Sequence, residues 1–442
     1  MSEFDKKFFK RSKFYATQRD GHYGSRPYSK NTLFKYDRDG EKSNECKDKP
    51  IQQPTILLKA RNERSVSPKR KENDPPATSV SSHETLSAPP PVMSESVKLI
   101  EDGVFVQDIV QEYLQDSPDF LVVGVLGGQG VGKSTIMNLL AQNKQLHRDL
   151  FNYTATQPIK ILTDSLAQLK VNNTDDAGDK VKPSFKPQSL EQIEVGSYGT
   201  SGVDLYVTSN RVFLLDCQPV ISAAILDEIV QSDFKRSMAG EFLPIENCAE
   251  INSLQMATFV LSVCHVVLLV QDWFFDSNFV RFLQTAEMLK PSIPTAEEEF
   301  MEYFPHVLLV HNRASLEDFT PIRFNLIQQI YQDVFSKSKL RFNSGLGLGT
   351  GKIVHSLNPQ TCGEPFNLFL LPEWDEHKDT KYLGHPPFEN LVRELRAQIH
   401  SIARIPLLSA QLTEKNWLQF AARVWETIKK NTFFLEYSKL MP

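Results

Sequence analysis

The segment Gly127-Gly-Gln-Gly-Val-Gly-Lys-Ser134 limits what this chain can fold into more than any other stretch. It fits the spacing G-x-x-x-x-G-K-[ST]. It follows the apolar run Leu121–Leu126 and precedes a helix expected over Thr135–Gln142. Strand, glycine-rich turn and helix in that order make a phosphate-binding loop. The glycines let the backbone curl into a nest of inward-facing N–H groups, and the helix adds the positive end of its dipole. Gly127, Gly128, Gln129, Gly130, Val131, Gly132, Lys133, Ser134 and Thr135 are therefore the candidate nucleotide-binding residues. Lys133 is placed for the β- and γ-phosphates and Ser134 for Mg2+. The competing reading is a relic loop that no longer binds.

Apolar runs of strand length recur downstream at Val203–Thr208, Val212–Leu215, Val266–Val270, Val307–Val310 and Asn367–Leu371. Several are almost purely aliphatic, as expected of strands buried on both faces. Their alternation with helix-length segments predicts an α/β fold of the P-loop NTPase, G-domain-like class: a three-layer sheet with flanking helices. The folded part is read as 97–442, preceded by a tail over 1–96. Two insertions, 171–198 and the Gly-rich 341–366, are read as loops. The first is expected to be mobile, and Gly345–Lys352 to be flexible.

Composition separates the tail from the rest. The first 100 of 442 residues hold 20 basic and 13 acidic side chains, a net +7, against −12 for the remainder. Nine of the 26 prolines fall within 1–96 and aliphatic residues are sparse there, so the segment is expected to be disordered. Its aromatics, Phe4 to Tyr36, sit among basic residues and suit either an RNA- or peptide-contacting arm or a plain solvated tail. Ser67-Pro68-Lys69-Arg70 has the form of a proline-directed phosphorylation site, hence a phosphoprotein reading. The five cysteines contain no C-x-x-C pair, which argues against a disulfide framework and for a reducing compartment. No run approaches a membrane span and no secretory h-region opens the chain, so a cytoplasmic protein without membrane contact is expected.

A phosphate loop calls for an acidic residue at the end of a neighbouring strand, near the metal. Asp216 ends Val212-Phe-Leu-Leu-Asp216, and Thr200 (or Ser201) precedes the second strand where a switch hydroxyl would stand. Ser134, Thr200 and Asp216 are thus the candidate Mg2+ ligands. A working G-domain continues D-x-x-G, but here Pro219 takes the glycine position and has no N–H to give. Val220 stands where many GTPases place a water-orienting Gln. In place of N-K-x-D the chain has Asn312-Arg313-Ala314-Ser315. Asn312 and Arg313 remain candidate nucleotide contacts, whereas Ser315 removes the carboxylate that reads guanine. GTP/GDP and ATP/ADP stay open, and no catalytic residue is assigned. His265, His311 and Cys217 lack partners at metal or nucleophile spacing and are read as structural.

The C-terminus places Trp417, Phe420, Ala421, Val424, Trp425 and Ile428 on one helical stripe behind a Thr413 N-cap. Such a stripe packs on the chain's own core or on a partner.

Asp119–Ser134, Thr200–Asp204, Leu214–Pro219, Cys264–Trp273, Arg281–Pro291 and Leu412–Trp417 together resemble the nonsense-mediated mRNA decay factor family called SMG-nine, from about residue 100 to the C-terminus. Val-Gln-Asp-Trp273 and Thr-Glu-Lys-Asn-Trp417 are the specific strings. The resemblance implies a degenerate G-domain that pairs with a second G-like subunit, SMG-eight. With it, the chain would bind and restrain the SMG-one kinase (a phosphatidylinositol-3-kinase-related protein kinase) in mRNA surveillance. A partner-activated GTPase or ATPase and an RNA-contacting adaptor are the alternative functions.

Overall fold

The computed structural model describes residues 91–141, 182–231, 245–272, 274–294, 300–373, 384–408 and 411–440. The arm up to residue 90, the Ser67-Pro68 site, residues 171–181 and Trp273 lie outside the described residues.

In chain order the strands are β1 (Val97–Glu101), β2 (Val104–Phe105), β3 (Leu121–Leu126), β4 (Val203–Val207), β5 (Val212–Cys217), β6 (Val266–Gln271), β7 (Ile293–Pro294), β8 (Phe300–Met301), β9 (His306–Ala314) and β10 (Leu368–Pro372). The helices are α1 (Asp108–Gln111), α2 (Lys133–Ala141), α3 (Leu190–Glu194), α4 (Ala223–Gln231), α5 (Ile245–Val263), α6 (Ser277–Met288), α7 (Pro321–Val334), α8 (Pro359–Cys362), α9 (Phe388–Ser401), α10 (Glu414–Lys430) and α11 (Thr432–Leu440). Eight strands form one sheet in the order β10-β9-β6-β3-β5-β4-β1-β2, with β7 and β8 as a separate ribbon. The five from β10 to β5 are parallel, whereas β4 and β1 add antiparallel strands beyond β5.

Every residue of β3, β5 and β6 is buried, so both faces of the sheet centre are covered. Helices α4, α6, α10 and α11 pack on α5, and α9 packs on α2. This is the three-layer, G-domain-like P-loop architecture that the aliphatic runs predict. Parallel strands deliver their C-terminal ends to one edge, which is where such sheets bind ligands. The β1–β2 hairpin is an addition that the sequence reading lacks. Packing also starts upstream of Val97: Met93 is buried, and the Ser96 N–H donates to Ser184 O at 2.8 Å.

Two expectations about loops are corrected. The described part of the first insertion, 182–198, is held in place rather than mobile. Phe185 is fully buried, and its backbone N–H and C=O pair with the Asn138 amide at 2.8 Å each. The stretch 341–366 contains helix α8, and its Gly345–Lys352 portion is packed rather than flexible. Leu346 and Leu348 are buried, and the Gln398 amide bonds both the N–H and the C=O of Gly347, at 2.8 and 3.1 Å. The apolar stripe of α10 packs on the chain's own core, the first of the two readings the sequence offers. Trp417 and Trp425 are buried, and their indole N–H groups donate to Val263 O and Gly103 O at 3.0 Å. Thr413 caps α10, and the fully buried Glu414 is paired to Arg211 in the β4–β5 turn.

Among the described residues no helix is long and apolar enough to cross a membrane.

Candidate functional site

The glycine-rich turn lies between the end of β3 and the start of α2, flanked by the ends of β5 and β6. Gly132 has φ +93°, and a Cβ there would sit 2.5 Å from Asn312 Nδ2. Only glycine fits that backbone and that approach. Asn312, at the far end of β9, donates to Val131 O at 2.9 Å and so braces the loop. Arg313 donates to Gly130 O at 2.8 Å and is ion-paired with Asp272 at 2.8 Å. The structure thus brings both residues of the altered N-K motif onto the loop. Ser315 does not face it: Ser315 is bonded to Asp318 in the cap of the short 3-10 turn Leu316–Phe319.

Lys133, Ser134, Thr200 and Asp216 converge beside the loop. Ser134 Oγ donates to Asp216 Oδ2 at 2.6 Å, Thr200 Oγ1 donates to the same oxygen at 3.0 Å, and the two hydroxyls are 3.2 Å apart. Three residues far apart in the chain therefore meet at one point, as their spacing suggests. Asp216 Oδ1 is buried and has no hydrogen-bond partner among the described residues. Burial outweighs the help of Ser134 and Lys133 and pushes the Asp216 carboxyl up to about 6. Asp204, paired with Asp216 across β4 and β5, adds a like charge. Burial also lowers the Lys133 ammonium, whose Nζ donates to Gly128 O at 2.8 Å. A buried cation and a buried, half-satisfied carboxylate stand ready to gain from a ligand that carries both charges.

The opposite side of the loop is tied to the protein by several hydrogen bonds. The Gln129 amide donates to Gly196 O at 2.8 Å and Ser197 O at 3.2 Å, and accepts from Ser222 Oγ at 2.6 Å. Tyr198 OH donates to Glu228 on α4. Gln218 exchanges two bonds with Gly202, at 2.8 and 2.9 Å, through its backbone N–H and its Oε1, while its buried Nε2 has no hydrogen-bond partner among the described residues. Val220 is buried, with its N–H on Gly127 O at 3.1 Å. Lys98, from the added strand β1, donates to Ser201 O at 2.7 Å and pairs with Asp204. The bridging roles of Gln129, Tyr198 and Lys98 are absent from the sequence reading. The only signal for them is the polar Gln129 in a loop otherwise made of glycines and one valine.

Between these groups lies a cleft of about 240 Å³ lined by Lys133, Ser134, Thr135, Asn138, Tyr198 and Thr200, among others, and closed on one side by Pro183, Pro187 and Gln188. Burial raises the Cys217 thiol, so it is no nucleophile. His265 accepts from the Val122 N–H at 3.0 Å and is held by burial at about 4, a structural role. No group of three or more His, Cys, Asp or Glu able to hold a metal occurs among the described residues.

No family model matches the sequence. The chain is 34% identical to the nonsense-mediated mRNA decay factor SMG9 of Xenopus laevis, over 89% of this chain and 83% of that protein. It is 36% identical to SMG9 of Xenopus tropicalis, over 80% and 68%. Among solved structures, the crystal structure of the S. cerevisiae Ski7 GTPase-like domain, bound to GDP and inorganic phosphate, is 16% identical. It covers 67% of this chain and 53% of its own at a TM-score of 0.28. A likeness at that score carries no weight, and the fold rests on the strand order.

Proposed function

The chain belongs to the SMG9 family of nonsense-mediated mRNA decay factors, and on that premise we propose that it is a nucleotide-retaining, non-catalytic or weakly catalytic subunit of a kinase-regulating assembly. One observation carries this reading. Ser134 and Thr200 meet on Asp216 beside Lys133, while the segment that would sense a third phosphate is already bonded to the protein.

Lys133 and the N–H groups of Gly127–Thr135 would take the phosphates of GTP/GDP or ATP/ADP, with Asn312 and Arg313 bracing the loop. Mg2+ suits the donor set: two hydroxyls, Ser134 and Thr200, beside a carboxylate with an unpartnered buried oxygen. When bound, the ion would neutralise phosphate charge and lift the cost of the buried Asp216 carboxylate. Hydrolysis lacks support on two counts. Pro219 cannot donate an N–H to a γ-phosphate, and the buried Val220 cannot orient water. The G-like domain over 97–442 would then work through assembly. With an SMG8-like subunit it would bind and regulate an SMG1-like kinase in the cytoplasm, the arm over 1–96 being a separate element.

The test is to isolate the full chain with its partner subunit and identify any co-purifying nucleotide by mass spectrometry. Phosphate release is then measured on the same sample. Retained nucleotide with turnover equal to a Lys133→Ala control supports the proposal. Turnover above that control, lost in Asp216→Ala, supports a partner-activated NTPase instead.

A further inference from the structure

A second cavity, of about 520 Å³, lies at the other end of the sheet. It is enclosed by the end of α6 and the residues that follow it, the approach to β9 and the turn after α7. β9 begins at His306 beside this cavity and reaches the phosphate loop at Asn312, so most of a strand separates the two sites.

Five charged side chains line the cavity: Glu287, Lys290, Glu302, Lys337 and Lys339. The carboxylates are engaged within the protein. Glu287 accepts from Ser338 Oγ at 2.7 Å and from the Lys339 N–H at 2.6 Å, and Glu302 is paired with Lys339 at 2.6 Å. Lys290 and Lys337 have no ion pair among the described residues. Lys290 is held as a cation. Its Nζ donates to the Tyr303 carbonyl and stands 5.8 Å from the Tyr303 ring centroid and 5.0 Å from that of Phe304. An ammonium has three N–H groups, so two are left for a ligand. Lys339 stands 5.6 Å from the same Phe304 centroid, so one ring serves two ammonium groups. Burial outweighs the pull of Glu302 and Glu287 and lowers Lys290 to about 8, as expected of a cation short of counter-charge.

We propose that this cavity binds a small carboxylic acid, its carboxylate held by Lys290 and Lys337 and its apolar body lying along Met288, Pro291 and Phe304. Three lysines against two glutamates give the lining a net +1, which one carboxylate cancels. A phosphate monoester, at about −1.5 to −2, would leave excess negative charge beside Glu287 and Glu302. The volume falls within the roughly 300–1,000 Å³ of small-molecule sites. A free acid and the C-terminus of a peptide offer the same group.

The experiment titrates the full chain with 3-phenylpropionate by isothermal calorimetry, with 3-phenylpropan-1-ol as the uncharged analogue and sodium chloride as the ionic-strength control. The acid should saturate one site, and the alcohol should bind at least tenfold more weakly. Lys290→Gln and Lys337→Gln should each weaken the acid about tenfold, the effect of removing one charge-assisted hydrogen bond. Lys337 is exposed on its turn, so that variant tests the site even where Lys290→Gln disturbs the fold. Lys133→Ala should leave the affinity unchanged. The peptide Gly-Gly-Phe, set against its C-terminal amide, separates the two sources: binding as tight as that of the acid assigns a peptide end, and its absence assigns a free acid. Equal binding of acid and alcohol, full affinity in Lys337→Gln, or loss of binding in Lys133→Ala overturns the proposal.

Discussion

The two sides of the glycine-rich loop have opposite needs. On the side of Ser134 and Thr200, Lys133 and Asp216 are buried charges, and one Asp216 oxygen has no hydrogen-bond partner among the described residues. On the switch side, the segment Gly196–Gly202 is bonded to Gln129, Gln188, Glu228, Lys98 and Gln218 before any ligand arrives. In a switching NTPase, the γ-phosphate and its metal order such a segment, which is released on hydrolysis. Here the protein supplies that order itself. A ligand would repair the first side and find nothing to change on the second. It would act as part of the fold rather than as a signal.

The largest test of this contrast is Lys133→Ala. It removes the buried Lys133 ammonium from the loop, so on the proposed reading Mg-nucleotide should no longer raise the melting temperature. The wild-type chain should gain about 2.7 kcal/mol at a hundredfold excess over Kd. That is a shift of several degrees by differential scanning fluorimetry. An equal shift in the variant would place the nucleotide elsewhere.

Asp216→Asn should cut both ways. Without ligand it relieves a buried charge. The carboxyl titrates at about 6 in the fold against an ordinary 3.8. Roughly two units at 1.36 kcal/mol each give a gain of up to about 3 kcal/mol near pH 7. With ligand, the Mg2+-dependent part of the stabilisation should vanish. The sign with pH follows from the raised value. Between 3.8 and about 6 the folded wild type holds a proton that the unfolded chain has lost. The stability conferred by protonation is therefore full below 3.8 and lost as pH rises through about 6. The variant's advantage should shrink from pH 7 and disappear near pH 4 in urea titrations. An advantage independent of pH would show that the burial of Asp216 is not its source.

His265 tilts the same window the other way. Its imidazole stays neutral in the fold down to about 4, against an ordinary 6.5, so the stability it provides is full above 6.5 and lost as pH falls toward 4. In the wild type the two groups offset each other. In Asp216→Asn the acid limb of His265 should be exposed, as a steeper loss of stability from pH 6.5 to 4 than in the parent. Equal slopes would mean that Asp216 does not titrate as its burial requires.

The sequence exposed Lys133, Ser134 and Asp216 because each belongs to a short string with a fixed place in such a loop or strand, whereas Thr200 and Ser201 were equal candidates until the fold set Thr200 Oγ1 on Asp216. Strands were equally plain, since burial on both faces leaves only aliphatic runs such as Val266–Val270. Loops were not. Leu346-Gly-Leu348 has the composition of a flexible linker, yet a Cβ on Gly347 would fall 2.5 Å from Leu368 O. There glycine serves close packing, and composition cannot separate that use from mobility. The alternation of leucine with glycine was the one hint. Nor could the chain announce that Glu414, an ordinary first-turn acid of a helix, is fully buried against Arg211. The switch-side bonds were hidden for the same reason, because Gln129 and Ser222 meet only once the sheet is formed.

Gln129→Ala is the mildest test and addresses the switch side alone. It deletes three hydrogen bonds made at a partly exposed site. Each such bond contributes about 1 kcal/mol or less, so the loss in global stability should be on the order of 1 kcal/mol. The local effect should be clearer. Gly196, Ser197 and Ser222 lose their common tie, and backbone amides over 196–202 should exchange with deuterium faster while those of β3 and β5 do not. Lys133, Ser134 and Asp216 are untouched, so nucleotide should still bind. It should leave several-fold faster, because the segment that carries Thr200 is looser. A variant that instead gains hydrolysis would mean that Gln129 holds back a working switch, and the contrast between the two sides would be one of restraint rather than loss.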